Sequence, residues 1–207
     1  MKGLKLFIVI DKRQERRNLI NFPEDIRGYL AKLKNTVDAL KMDEISVFIN
    51  LLITARDEER TVFVMGNGGS ASTASHFFCD FNKEASYNCN KRFKFICLND
   101  NVPTLMAYSN DVGWEDALVE PLKNFFQAGD YVIGISCSGN SKNVINAIEY
   151  ANDHGGVTIG LTGYQGGKLK QICPYSVHVD VNDMKISEDL HMIINHLTSK
   201  IILERGG

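Results

Sequence analysis

The chain lacks the features that would assign it to most specialised classes. Its five cysteines (Cys79, Cys89, Cys97, Cys137 and Cys173) contain no Cys-x-x-Cys pair and form no even set, which argues against a disulfide framework and for a reducing compartment. Basic charge is not in excess. Lysine and arginine number 23 against 25 aspartate and glutamate, so the net charge of −2 supplies no field for nucleic acid. No segment approaches the roughly 18 consecutive apolar residues that a membrane-spanning helix needs. The apolar run Leu4–Ile10 is too short for a signal h-region and leads into Lys12, Arg13, Glu15, Arg16 and Arg17 rather than a small-residue cleavage site. Repeats and low-complexity segments are absent too. These absences predict a soluble, cytoplasmic chain with no nucleic acid and no membrane among its partners.

What is present is ordinary in bulk and unusual in two places. With 207 residues, 44% hydrophobic and 23% charged, the chain is long enough for one domain with a buried core. Residues 1–40 read as an N-terminal extension and helix, and 41–207 as the main domain. Leu6–Ile10 resembles a strand, and Asn21-Phe22-Pro23 marks a break. From Pro23 to about Arg56, apolar residues recur at three- and four-residue spacing, which predicts two amphipathic helices. Five strand-like runs follow: Thr61–Met65, Arg92–Leu98, Asp130–Ile135, Val157–Leu161 and Ser176–Val181. Helical patterns separate them at 70–83, 102–109, 114–127, 140–154 and 167–171, and a last one covers 184–204. Such alternation predicts an α/β fold, a three-layer sandwich with a five-stranded parallel sheet flanked by helices, plus the N-terminal helices.

The unusual places are two glycine- and serine-rich loops, Gly66-Asn67-Gly68-Gly69-Ser70 and Ser136-Cys137-Ser138-Gly139-Asn140-Ser141, each between a predicted strand and a helix. Small residues let backbone N–H groups approach an anion, hydroxyls add donors, and a helix N-terminus favours negative charge. Neither loop has the G-x-G-x-x-G or GK[ST] spacing of nucleotide-binding loops, so a phosphorylated small molecule is the expected ligand. Plain glycine turns are the bland alternative.

Two helices add polar groups. His76 and Asp80 are four apart and share a face, either for one ligand or as a local ion pair. On the last helix, Glu188 and His196 lie within about 80° of each other and His191 about 60° the other way, amid an apolar run. A satisfied core histidine is the bland reading here. Together the two histidines and two carboxylates could hold zinc, or a carboxylate and an imidazole could move a proton between adjacent sugar carbons. His154 and His178 are assigned no role.

The segments GNGGSAS, HFFCDF, AYSNDVGWEDAL, GDYVIGISCSGNSKNVINAI, IGLTGYQGGKL and SEDLHMIINHL resemble the sugar-isomerase (SIS) family, more closely its phosphoheptose isomerases, over about residues 40–205. That resemblance implies interconversion of sedoheptulose 7-phosphate and D-glycero-D-manno-heptose 7-phosphate. It implies phosphate binding by Ser136, Cys137, Ser138 and Ser141, and substrate contacts from Asn67, Gly68, Gly69, Ser70, Asn110, Asp111 and Glu188. It further implies zinc on His76, Asp80, Glu188 and His196, with Asp80 as base and His196 as acid, and a homotetramer whose sites lie between subunits. The other member types it admits are a non-catalytic sugar-phosphate sensor, a scaffold that binds the replication initiator DnaA, or an enzyme acting on a different sugar phosphate, such as an amino-sugar phosphate. Three departures from the family pattern stand out: Asp80 for Glu, Glu188 for Gln, and Cys137 for Thr or Ser.

Overall fold

The computed structural model describes residues 21–206; the strand expected at Leu6–Ile10 lies outside them. Two helices come first, α1 (Pro23–Asp38) and α2 (Met42–Asp57), followed by β1 (Thr61–Gly66) and α3 (Gly69–Cys79). A π-helical turn, Asp80–Glu84, continues α3 and leads to β2 (Lys94–Cys97), α4 (Val102–Asp111) and α5 (Val119–Lys123). The remainder alternates: β3 (Tyr131–Ser136), α6 (Lys142–Asp153), β4 (Val157–Thr162), α7 (Gly167–Ile172), β5 (Tyr175–His178) and α8 (Met184–Gly206).

The five strands form one sheet in the order β2-β1-β3-β4-β5, every neighbouring pair parallel. Parallel strands joined by helices must be covered on both faces, so their residues read as continuous apolar runs. Alternation then sorts side chains by face. Val62 and Val64 of β1 join Phe48, Phe77, Phe81, Leu190 and Ile194 beneath α2, α3 and α8. Phe63 and Met65 point the other way, into a layer with Leu122, Val144, Ile148 and Leu169 from α5, α6 and α7.

The order places a topological switch between β1 and β3, since the chain leaves β1 toward one edge and β3 toward the other. The helix after β1 covers one face and the helix after β3 the other, which opens a crevice at the strands' carboxyl ends. Both glycine- and serine-rich loops sit there.

Differences from the sequence expectation are local. The helical pattern at 114–127 yields only the five-residue α5. Pro121 is tolerated in a first turn alone, because its ring clashes with a preceding carbonyl deeper in a helix, so α5 begins at Val119. The pattern at 70–83 changes from α- to π-helical at Asp80. Among the described residues no helix is long and apolar enough to cross a membrane.

Candidate functional site

Asn67 and Asn143 bridge the crevice with a reciprocal amide pair, Nδ2 to Oδ1 at 2.8 Å one way and 2.9 Å the other. Asn99 holds the end of β1 in the same manner: its Oδ1 accepts from Gly66 N at 3.0 Å and its Nδ2 donates to Gly66 O at 2.9 Å. These two clamps fix the first loop. In the second loop Ser141 occupies the cap position of α6, yet its hydroxyl accepts no helix N–H. It meets Ser136 Oγ at 3.0 Å instead, and Ser136 Oγ lies 3.5 Å from Ser138 Oγ. Val144 N in the first turn of α6 is taken by Asn143 Oδ1 at 2.9 Å, but a cap residue that gathers hydroxyls instead of capping is arranged for an external acceptor.

The hydroxyls face a cavity of about 260 Å³, also lined by Ser70, Cys137, Tyr164 and Glu188. No lysine or arginine is among the described residues lining it, so attraction for an anion comes from N–H groups, hydroxyls and the helix start. The Cys137 thiol is pushed up to about 11, first by burial and then by the Glu188 charge, and it stays neutral. Glu188 is partnered by Lys185 at 3.6 Å. A methyl group on Gly69 would come within 2.5 Å of the Glu188 carboxylate carbon and would push that carboxylate aside.

A second cluster lies further along the same two helices. His76 Nε2 and His196 Nε2 are 2.9 Å apart, with the rings edge-on at 81°. Asp80 Oδ1 stands 3.5 Å from His76 Nε2, and Asp80 Oδ2 stands 4.0 Å from His196 Nε2. One ligand atom from each residue lies within 4.8 Å of the others, a spacing that can hold one metal ion. Two imidazole nitrogens and a carboxylate are a donor set suited to zinc and similar divalent ions, and three protein ligands leave a position open to substrate.

The chain as a whole is similar to known proteins. A model of the SIS domain matches residues 27–163. The phosphoheptose isomerase of Geobacter metallireducens is 31% identical over 187 residues, covering 88% of this chain and 97% of the relative. That of Helicobacter pylori (strain 26695) is 33% identical over 180 residues, covering 87% and 92%. This chain belongs to the phosphoheptose isomerase family. Among solved structures, the phosphoheptose isomerase of Neisseria gonorrhoeae superposes with a TM-score of 0.81 at 23% identity, covering 88% of this chain and 98% of that one. The Francisella tularensis enzyme gives 0.80 at 24%, covering 90% and 100%. At those identities the superpositions speak for the fold.

Within this family member the structure gathers the expected residues unevenly. Asn67, Ser70, Ser136, Cys137, Ser138, Ser141 and Glu188 line one cavity, and Gly69 adjoins it through Glu188. Gly68, at a φ of +54°, is the turn before α3. His76, Asp80 and His196 form the second cluster, and Glu188 is not within it. Asn110 donates to Asp111 at 2.7 Å at the end of α4, beside Trp114 in a separate hollow away from the serine loop.

Sequence reasoning missed Asn99, Asn143 and Asn195. Asn195 is fully buried and donates to Asp80 Oδ2 at 2.7 Å. Asparagine in an apolar helical run was the visible signal, because a buried amide needs a partner.

His191 is the core histidine of the bland reading. It is wholly buried, with Nε2 3.2 Å from the Thr162 carbonyl, and burial lowers its pKa to about 4. The unfolded chain therefore binds this proton between about pH 6.5 and 4 while the folded chain refuses it, so stability falls as pH drops through that window. The loss reaches roughly 3 kcal/mol by pH 4, at 1.36 kcal/mol per unit. Urea melts of His191→Leu should show a correspondingly flatter fall between pH 7 and 4. An unchanged slope would remove His191 as its source.

Proposed function

We propose that this chain is a phosphoheptose isomerase that holds the sugar's phosphate in the serine loop and moves protons at the His76–Asp80–His196 cluster, with zinc bound there. The observation that carries the reading is the alignment of the two features along α3 and α8. Gly69 lies against Glu188 at one end and His76 against His196 at the other, so the helices run in the same sense. At 1.5 Å per residue the cluster is about 10–12 Å from the loops. A seven-carbon sugar extended from its phosphate reaches that far with its first two carbons. A sensor or a scaffold needs no such second cluster, so its assembly favours the enzyme.

Zinc, held by His76, Asp80 and His196, would polarise the carbonyl and its neighbouring hydroxyl, acidifying the C–H between them. The remaining chemistry belongs to the chain. In the ketose-to-aldose direction Asp80 takes a proton from C1, leaving a cis-enediol(ate), and a proton is returned to C2. O1 gives up its hydroxyl proton and O2 gains one, so the isomerisation is balanced; His196, the acid of the expected pair, moves this proton only with its Nε2 off the metal. Orientation comes from the serine loop, which fixes the phosphate and hence the distance of C1 and C2 from the cluster.

We further propose that the active form is a homotetramer with sites between subunits. An apolar hollow of about 760 Å³ lined by Val37, Leu40, Ile49, Ile53, Leu197 and Ile201 supports burial against another copy.

Zinc-loaded protein incubated with sedoheptulose 7-phosphate in D2O is expected to form the aldose and to incorporate solvent deuterium at C2. Proton NMR follows both. No product and no exchange across five- to seven-carbon sugar phosphates, with zinc supplied, would overturn the assignment.

A further inference from the structure

Asp80 has a short side chain, and two observations bear on how it is held. The first is backbone: α3 ends at Cys79, and the π-helical turn that starts at Asp80 is closed by Ala85 N donating to Asp80 O at 2.9 Å. Such a widened turn resets the direction of the side chain at its start, and these turns concentrate at functional sites. The second is Asn195 on α8. A carboxylate accepts only, so the amide must present its NH2 group to Asp80 Oδ2, at 2.7 Å. That orientation is forced, and it leaves Asn195 Oδ1 buried with no partner among the described residues. Leucine would avoid the orphaned oxygen, so a purely structural role is a poor account of the residue. The restraint on Oδ2 leaves Oδ1 directed at His76, 3.5 Å away.

We propose that Asn195 is a positioning residue: with the π-helical turn it fixes the Asp80 carboxylate so that Oδ1 faces His76 and Oδ2 stays beside His196. The inference rests on the reading of His76, Asp80 and His196 as a metal-binding catalytic cluster, and the test separates the two.

The experiment compares the full-length wild type with Asn195→Leu, Asp80→Asn and the double variant, by zinc competition against a chromophoric chelator, steady-state kinetics and thermal melts. Asn195→Leu is expected to melt within a few degrees of the wild type or above it. It should bind zinc about 10- to 100-fold more weakly, the usual effect of losing a group that orients a ligand. Its kcat should fall while KM stays near the wild-type value, because the serine loop is untouched. Against Asp80→Asn it should have no further effect. If leucine overpacks the site and the variant fails to fold, Asn195→Ala carries the same comparison. Unchanged zinc affinity and kcat would overturn the proposal, as would an equal loss in the Asp80→Asn background. Should the wild type turn over without binding zinc, the metal reading fails by itself. A drop in kcat at constant KM would then still support positioning of Asp80 as a base, and an unchanged kcat would overturn it. A wild type that neither binds zinc nor turns over overturns both.

Discussion

Asp80→Asn is expected to lower kcat at least about 1,000-fold with KM within a few-fold of the wild type. The substitution keeps the shape of the side chain, and the new amide oxygen can still accept from Asn195 Nδ2, which donates to Oδ2 at 2.7 Å in the parent. The fold should therefore survive, with little change in melting temperature. What is lost is the negative charge beside His76 and His196 and the ability to take a proton. Loss of a positioned base alone is worth about 100- to 10,000-fold, and weaker metal binding adds to it. Asp80→Glu is the sharper companion variant. It keeps the charge but adds a methylene to a side chain already held by Asn195, and a displacement near 1 Å can cost on the order of 100-fold. It should fall between the wild type and Asp80→Asn. Steady-state assays at saturating substrate, with bound zinc measured on the same samples, check both. An Asp80→Asn enzyme retaining a tenth of wild-type kcat would remove Asp80 from the chemistry.

The sheet was legible because its strands are buried on both faces. VFVM in β1 and YVIGI in β3 admit no solvent side, and each is followed by a small-residue turn and a helix. The loops were legible for a related reason: glycine and serine at the carboxyl end of a strand seldom serve the core. Two things were not legible. Helix boundaries that depend on a single turn are set locally rather than by periodicity: Pro121 shortens α5, and the π-helical turn at Asp80 packs against α8 and β2. The second is the division of labour within α8. Spacing placed Glu188 and His196 on one side of the helix, but eight residues of rise carry them to different neighbours, Glu188 to Gly69 and His196 to His76. Angular proximity on a helical wheel says nothing of the distance along its axis. Asn195 was visible as an amide in an apolar helical run, but its partner, like that of Asn143, was not, since an asparagine's partner is set by the tertiary fold.

Gly139→Ala is expected to damage binding and stability where Asp80→Asn damages turnover. Gly139 lies in the serine loop at a φ of +64°, a left-handed conformation that costs an alanine about 1–2 kcal/mol. Its Cβ would also overlap the carbonyl oxygen of Gly166, at the start of α7. That neighbour is backbone and cannot rotate aside. The carbonyl of Gly139 in turn accepts from Leu169 N at 2.9 Å, and its N–H donates to Ser136 O at 3.0 Å, so a displaced Gly139 pulls on both α7 and the serine hydroxyls. Strain plus clash together should lower stability by about 3 kcal/mol or more. For a chain of this size, that is a drop in melting temperature of roughly 6–12 °C. Because Ser136, Ser138 and Ser141 shift with the loop, KM for the sugar phosphate should rise at least about 10-fold. Zinc affinity should stay near the wild-type value, since His76, Asp80 and His196 lie two helical turns away. Gly28→Ala, in α1 with open space around it, is the matched comparator and should raise stability by up to about 1 kcal/mol. If Gly139→Ala weakened zinc as much as it weakened substrate, the separation of phosphate binding from proton transfer along α3 and α8 would be wrong.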